Sequence, residues 1–116
     1  MADIILYGLK TCDTCRKAVG DLKAAKKSVV FHDVRDEGVT KKQLEAWAGA
    51  VGWEKLLNKA STTWRSLPDA DKADVGKAKA IRLMADNPTL IKRPVIERGP
   101  TQVFVGWSAD VQKAVL

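Results

Sequence analysis

Two cysteines three positions apart, Cys12 and Cys15, lie in the stretch Gly8-Leu9-Lys10-Thr11-Cys12-Asp13-Thr14-Cys15-Arg16-Lys17, directly after the apolar run Ile4-Ile5-Leu6-Tyr7. Placed where a strand hands over to a helix, such thiols are reactive. A thiolate on the first turn of a helix faces unpaired backbone N–H groups and the positive end of the dipole, and Lys10, Arg16 and Lys17 add cationic charge. The spacing also brings the two sulfurs within disulfide reach. Cys12 is therefore the candidate nucleophile, and Cys15, one turn further in and facing the core, the candidate resolving thiol. The competing reading is that both are small buried residues, since free cysteine is among the most buried types. It suits Cys15 better than Cys12, which follows a polar loop.

Arg93-Pro94 is the second unusual spot. A proline can open an edge strand, in trans or in cis. If that strand starts beside the end of the first one, Arg93 comes close to Cys12, where a guanidinium stabilises a thiolate or binds an oxyanion. Arg65 reads as a surface residue. A zinc site needs at least three ligands, and the chain has two cysteines and a single histidine. His32 falls inside a strand pattern, so metal is set aside. A cysteine-protease pair fails for want of a better-placed imidazole. Trp47, Trp53, Trp64 and Trp107 are read as packing residues without ligands.

With 116 residues, 46% of them hydrophobic, the chain has enough material for one packed core, and a single domain over 1–116 is expected. The formal charge of +6 is spread over helical segments and mixed with acids, without a nucleic-acid motif. It reads as a solvated basic surface with a mild attraction for anionic substrates. Met1-Ala2-Asp3 does not start a signal peptide, and no apolar run reaches membrane-spanning length. The expectation is a soluble, cytoplasmic monomer with neither nucleic-acid nor membrane partners. In that reducing compartment a CxxC is catalytic or metal-binding more readily than structural.

The elements that must carry these residues follow from periodicity. Ile4–Tyr7 predicts a strand buried on both faces. Cys15, Ala18, Val19, Leu22 and Ala25 give one face of a helix over about 13–27. Val29–Val34 is β-branched and aromatic, a second strand parallel to the first. Thr40-Lys41-Lys42-Gln43 has capping-box spacing and opens a helix with Leu44, Trp47, Ala48 and Val51 on its apolar face. Trp53 to Ala60 predicts a short helix, Ser61–Arg65 a polar loop, Pro68 onward a helical stretch, and Ile81, Met84 and Ala85 a last helix ended by Asn87-Pro88. The segment over about 39–87 is thus a helical insertion. Val95–Glu97 and Gln102–Val105, joined by a turn at Arg98-Gly99-Pro100-Thr101, predict an antiparallel hairpin, and Ser108 caps a closing helix. The whole is an α/β chain: βαβ, helical insertion, ββα, around a mixed four-stranded sheet.

Several blocks together carry a resemblance. Gly8 through Cys12 with Asp13-Thr14, then Gly52-Trp53-Glu54-Lys55-Leu56-Leu57-Asn58, Thr62-Thr63-Trp64-Arg65, and Asn87-Pro88 with Ile91-Lys92-Arg93-Pro94-Val95 resemble the arsenate reductase-like family (ArsC/Spx/YffB), most nearly its YffB-like branch. The resemblance implies a thioredoxin-like fold and a cis proline at Pro94. It also implies Cys12 as nucleophile, with Arg65 and Arg93 forming an anion site; Lys10 and Pro94 are taken as further candidate substrate-binding residues. No bound cofactor is implied. The expected cosubstrate is glutathione or a glutaredoxin-like protein, acting on a small-molecule or protein thiol or disulfide. Two alternatives stay open: a redox-sensing adaptor resembling Spx that binds RNA polymerase, and an arsenate reductase. Glutaredoxin-coupled arsenate reductases carry a further arginine after the last hairpin, where this chain has Val105-Gly106-Trp107-Ser108, so arsenate ranks third.

Overall fold

A computed structural model describes residues 4–99 and 102–116. It divides into two compact units, one of Met1–Glu37 with Arg93–Leu116 and one of Gly38–Lys92.

The first unit is built on a sheet of four strands among the described residues, in the order β2-β1-β3-β4. β1 (Ile4–Gly8) pairs in parallel with β2 (Val29–Asp33) and antiparallel with β3 (Val95–Arg98), which pairs antiparallel with β4 (Gln102–Val105). The parallel pair needs a crossover, supplied by α1 (Asp13–Ala24). Ile4, Leu6 and Ile96 from the sheet, Cys15, Ala18 and Leu22 from α1, and Val115 from the closing helix α8 (Ala109–Val115) form one fully buried cluster. The same sheet face thus carries both helices. Ser108 accepts from the Val111 N–H and caps α8, as its position predicts. The hairpin turn falls partly on residues 100–101, outside the described residues.

Three expectations change in this unit. β1 is fully buried on one face only, with Ile5 and Tyr7 half-buried. The Tyr7 ring stacks on His32, and its hydroxyl donates to Glu97 at 3.0 Å, a polar use that a run of apolar letters does not disclose. α1 stops at Ala24 rather than Lys27. Lys26 takes φ 63°, its N–H bonds Lys23 O and the Lys27 N–H bonds Leu22 O. That is a Schellman closure made without the glycine that usually marks it. β2 ends at Asp33, and Val34 instead opens the short helix α2 (Val34–Glu37).

The second unit is helical. α3 (Lys41–Val51) begins with the predicted capping box, both reciprocal bonds between Thr40 and Gln43 being made. α3 packs on α4 (Trp53–Leu56) and on α7 (Lys77–Asp86), with Leu44, Trp47, Leu56, Ala80 and Met84 buried. α4 is shorter than predicted because Leu57 turns extended and bridges Ile91, while the Lys92 N–H bonds Leu56 O at 2.8 Å. The predicted polar loop at 61–65 is instead α5 (Thr62–Ser66), whose first turn is capped by the Ser61 hydroxyl accepting from the Trp64 N–H at 3.1 Å. α6 (Asp69–Lys72) follows, and a 3-10 turn at Pro88–Leu90 closes the unit.

Candidate functional site

Gly8, the last residue of β1, is packed hard against Cys15. A methyl group on its Cα would collide with the Cys15 sulfur and come within 3.6 Å of the Phe31 ring. Cys15 is accordingly sealed behind the strand end, fully buried. The loop that follows folds back on itself, the Cys12 N–H donating to Leu9 O at 3.0 Å. Cys12 is the N-cap of α1 in an extended conformation, φ −84° and ψ 122°, and is only half-buried.

This geometry separates the two thiols. Burial opposes ionisation of Cys12, but that is outweighed by the backbone N–H of Cys15, the Cys15 thiol, the Thr14 N–H and the Arg93 side chain, all donating to its sulfur. The Cys12 thiol is held below its ordinary value of 9.0. Cys15 goes the other way. Deep burial, aided by the negative charge on Cys12, pushes it up to about 11 despite a bond from the Leu9 backbone and the Arg93 charge. The two thiols are thus pushed in opposite directions, Cys12 toward the thiolate and Cys15 toward the protonated form.

Arg93 reaches this place through topology. The antiparallel register pairs Tyr7 with Val95, so the residues preceding β3 lie beside the end of β1. The Arg93-Pro94 peptide is cis, and the Pro94 carbonyl accepts from the Gly106 N–H at 2.8 Å, tying the spot to the end of β4. Cys12, Cys15 and Arg93 thus meet in the sheet unit. Lys10, the fourth residue singled out there, sits on the same loop with its ammonium paired to Asp36 at 2.7 Å. Arg65 belongs to the helical unit, exposed at the end of α5, next to a Trp64 ring that carries the Lys59 ammonium 5.6 Å above it. A groove of about 300 Å³ runs along α1, lined by Lys10, Cys15, Arg16, Val19, Lys23 and Phe31.

Sequence reasoning missed Asp33. It is the one buried charged residue among those described, 6% exposed. Its Oδ2 accepts from the Lys10 N–H at 2.9 Å, and its Oδ1 from the N–H groups of Arg35 at 2.8 Å and Asp36 at 3.0 Å. Burial alone would raise its carboxyl, but these three donors and the Arg35 charge hold it below 3.8. The only signal in the sequence is an acid closing an apolar strand. Among the described residues no group of three or more His, Cys, Asp or Glu side chains lies together as a metal site, and no helix is long and apolar enough to cross a membrane.

Comparison with known proteins matches residues 7–115 to the ArsC family. The chain is 42% identical to an uncharacterized protein of Haemophilus influenzae over 93 residues, 80% of this chain and 82% of the other. Among solved structures, a YffB protein superposes with a TM-score of 0.91 at 42% identity, covering 97% of this chain and 98% of that one. An arsenate reductase-related protein from Brucella melitensis gives 0.77 at 38% identity, covering 98% and 93%. More distant likenesses are a global transcriptional regulator Spx of Streptococcus pneumoniae, 24% identical over 97% of this chain and 85% of the other, and a glutaredoxin from Archaeoglobus fulgidus. The latter, with a TM-score of 0.51 and 17% identity over 99% and 86% of the two chains, shows the fold alone. The expected thioredoxin-like α/β fold is thus the one found.

Proposed function

The chain belongs to the ArsC family, and on that premise we propose that it is a thiol-dependent oxidoreductase that works with glutathione or a glutaredoxin-like protein. The observation that carries this reading is the set of donors gathered on the Cys12 sulfur, two backbone N–H groups, the Cys15 thiol and the Arg93 side chain. They favour the thiolate, which is the attacking form.

In the first step the Cys12 thiolate attacks one sulfur of a substrate disulfide. A new S–S bond joins Cys12 to that half, the old one breaks, and the other half leaves as a thiolate stabilised by Arg93 and then protonated. In the second step either Cys15, once deprotonated, or a glutathione thiolate attacks the mixed disulfide and releases the first half as a thiol. If Cys15 attacks, the internal disulfide is returned to two thiols by two glutathiones, which leave as oxidised glutathione. If glutathione attacks the Cys12 sulfur, the resulting Cys12–glutathione disulfide is broken by a second glutathione, which frees the Cys12 thiol and leaves oxidised glutathione. Two electrons pass to the substrate in either case. The cations around the groove, Lys10, Arg16 and Lys23, suit the carboxylates of glutathione. Arg65 is carried over from the family as a second anion contact.

The test is to expose the reduced chain to oxidised glutathione and map the adduct by mass spectrometry, alongside the pH dependence of Cys12 alkylation. A glutathione adduct on Cys12 and an alkylation midpoint below that of an ordinary cysteine thiol are expected. An ordinary midpoint with no adduct overturns the reading. The likeness to Spx favours one rival, a redox-sensing adaptor for RNA polymerase. Capture of polymerase that depends on the redox state, without thiol turnover, would select it. Arsenate reduction is assayed directly with glutathione and glutaredoxin.

A further inference from the structure

We propose that Asp33 is a positioning residue for Cys12: its carboxylate clamps the loop before Cys12 to the α2 turn and so holds the N-cap geometry that gathers N–H donors on the Cys12 sulfur. The proposal rests on Cys12 being the nucleophile.

A buried acid has to be accounted for, since an ionised carboxylate removed from water is costly unless its oxygens are satisfied. Capping α2 accounts for half of it. Oδ1 takes the N–H groups of Arg35 and Asp36, two and three residues on, as any aspartate at a helix start does. Oδ2 does something capping does not require: it reaches the Lys10 backbone N–H, 23 positions away in the chain, at 2.9 Å. The same turn sends two more contacts to the same place. Asp36 pairs with the Lys10 ammonium at 2.7 Å, and the Arg35 guanidinium donates to the Thr11 hydroxyl at 3.3 Å. Glu37 closes the turn from behind, accepting the Asp33 N–H at 3.2 Å. Both residues immediately before Cys12 are therefore held, and Cys12 itself is tied to Leu9. Of the three contacts that the turn sends to Lys10 and Thr11, the one from Asp33 is the most sheltered from water and the one made to the backbone. It is the contact that fixes where the chain enters α1.

The sign of the effect separates this role from a purely electrostatic one. Removing a carboxylate near a thiol makes the thiolate easier to form by Coulomb's law alone. Loosening the loop has the opposite effect, because the donors on the Cys12 sulfur disperse. Asp33→Asn nearly keeps the shape while its amide offers a single acceptor oxygen where three N–H groups now bond. The expected result is a rate of alkylation of Cys12 by neutral iodoacetamide at pH 7 that falls about tenfold, the loss of roughly one charge-assisted hydrogen bond, with the midpoint of the pH profile moved up. A rate that is unchanged or faster overturns the proposal. Amide hydrogen exchange at Lys10 in the unaltered chain gives an independent reading should the variant not fold. A protected amide supports the clamp, and exchange as fast as in an open loop overturns it. A wild-type alkylation midpoint at the ordinary thiol value would remove the nucleophile reading itself, whereas a depressed midpoint that Asp33→Asn leaves in place removes only the clamp.

Discussion

The sheet unit and the helical unit of this chain are held in different ways, and the candidate chemistry follows the difference. In the sheet unit, residues far apart in sequence are fixed against each other: Lys10 to Asp33, Tyr7 to Glu97, Trp107 to Asp21 at 3.2 Å, and the strand ends that set Arg93 beside Cys12. In the helical unit most side-chain hydrogen bonds among the described residues are local, caps and turns such as Thr40 with Gln43, Ser61 with Trp64 and Asn58 with Ala60. A sulfur whose ionisation depends on the aim of four donors needs the first kind of support, because a displaced donor weakens steeply with distance and angle. Helices joined by short caps hold their own shape and tolerate small errors.

On this contrast, changes in the sheet unit alter both stability and thiol reactivity, and changes in the helical unit leave thiol reactivity as it is. Cys12→Ser is the largest break. It removes the nucleophile, and turnover of a disulfide substrate should fall by about a thousandfold or more, to background. Arg93→Ala comes next, slowing alkylation of Cys12 at pH 7 roughly thirtyfold, the scale of one hydrogen bond to a charged group, as read by stopped-flow kinetics. Gly8→Ala should destabilise the chain by about 1.5 kcal/mol through overpacking against Cys15, seen in urea unfolding, and should change Cys12 reactivity as well. Thr40→Ala removes the cap of α3, costing about 1 kcal/mol. Its alkylation rate should match the unaltered chain, and a large change there would break the comparison. Arg65→Ala is the finest probe. Alkylation by a neutral reagent should not change, while the KM for an anionic substrate rises if the family role carries over.

The periodic parts of the fold are written openly in the sequence. The apolar and β-branched strand runs, the stripe Cys15, Ala18 and Leu22, and the Thr40 and Ser108 caps each depend on neighbours within one or two turns, so local pattern suffices. The place of Arg93 followed from one non-local inference, that a hairpin set beside β1 brings its first strand's start to the cysteine loop. What stayed hidden depends on partners that local pattern does not name. Lys26 in a left-handed conformation looks like any lysine in a basic run. Asp33 looks like any acid before a turn, since nothing in Val29-Val30-Phe31-His32-Asp33 announces that a backbone N–H 23 positions earlier needs an acceptor. Ser61–Arg65 reads as a polar loop, yet Ser61 is a good cap for the turn that follows it.

The missing side chain at Gly8 has a consequence for how such a chain can change over generations. Position 8 is closed to alanine by the sulfur of Cys15, so the two sites are not independent letters. A chain in which Cys15 is first replaced by alanine loses the clash with the sulfur, and a methyl at position 8 then meets the residue-15 Cβ at 3.3 Å, a close contact that a shift of a few tenths of an ångström relieves. Taken in the opposite order, the same two changes pass through an overpacked intermediate. The second cysteine is thus a lock on glycine at 8, and the order of mutation decides which intermediates are overpacked.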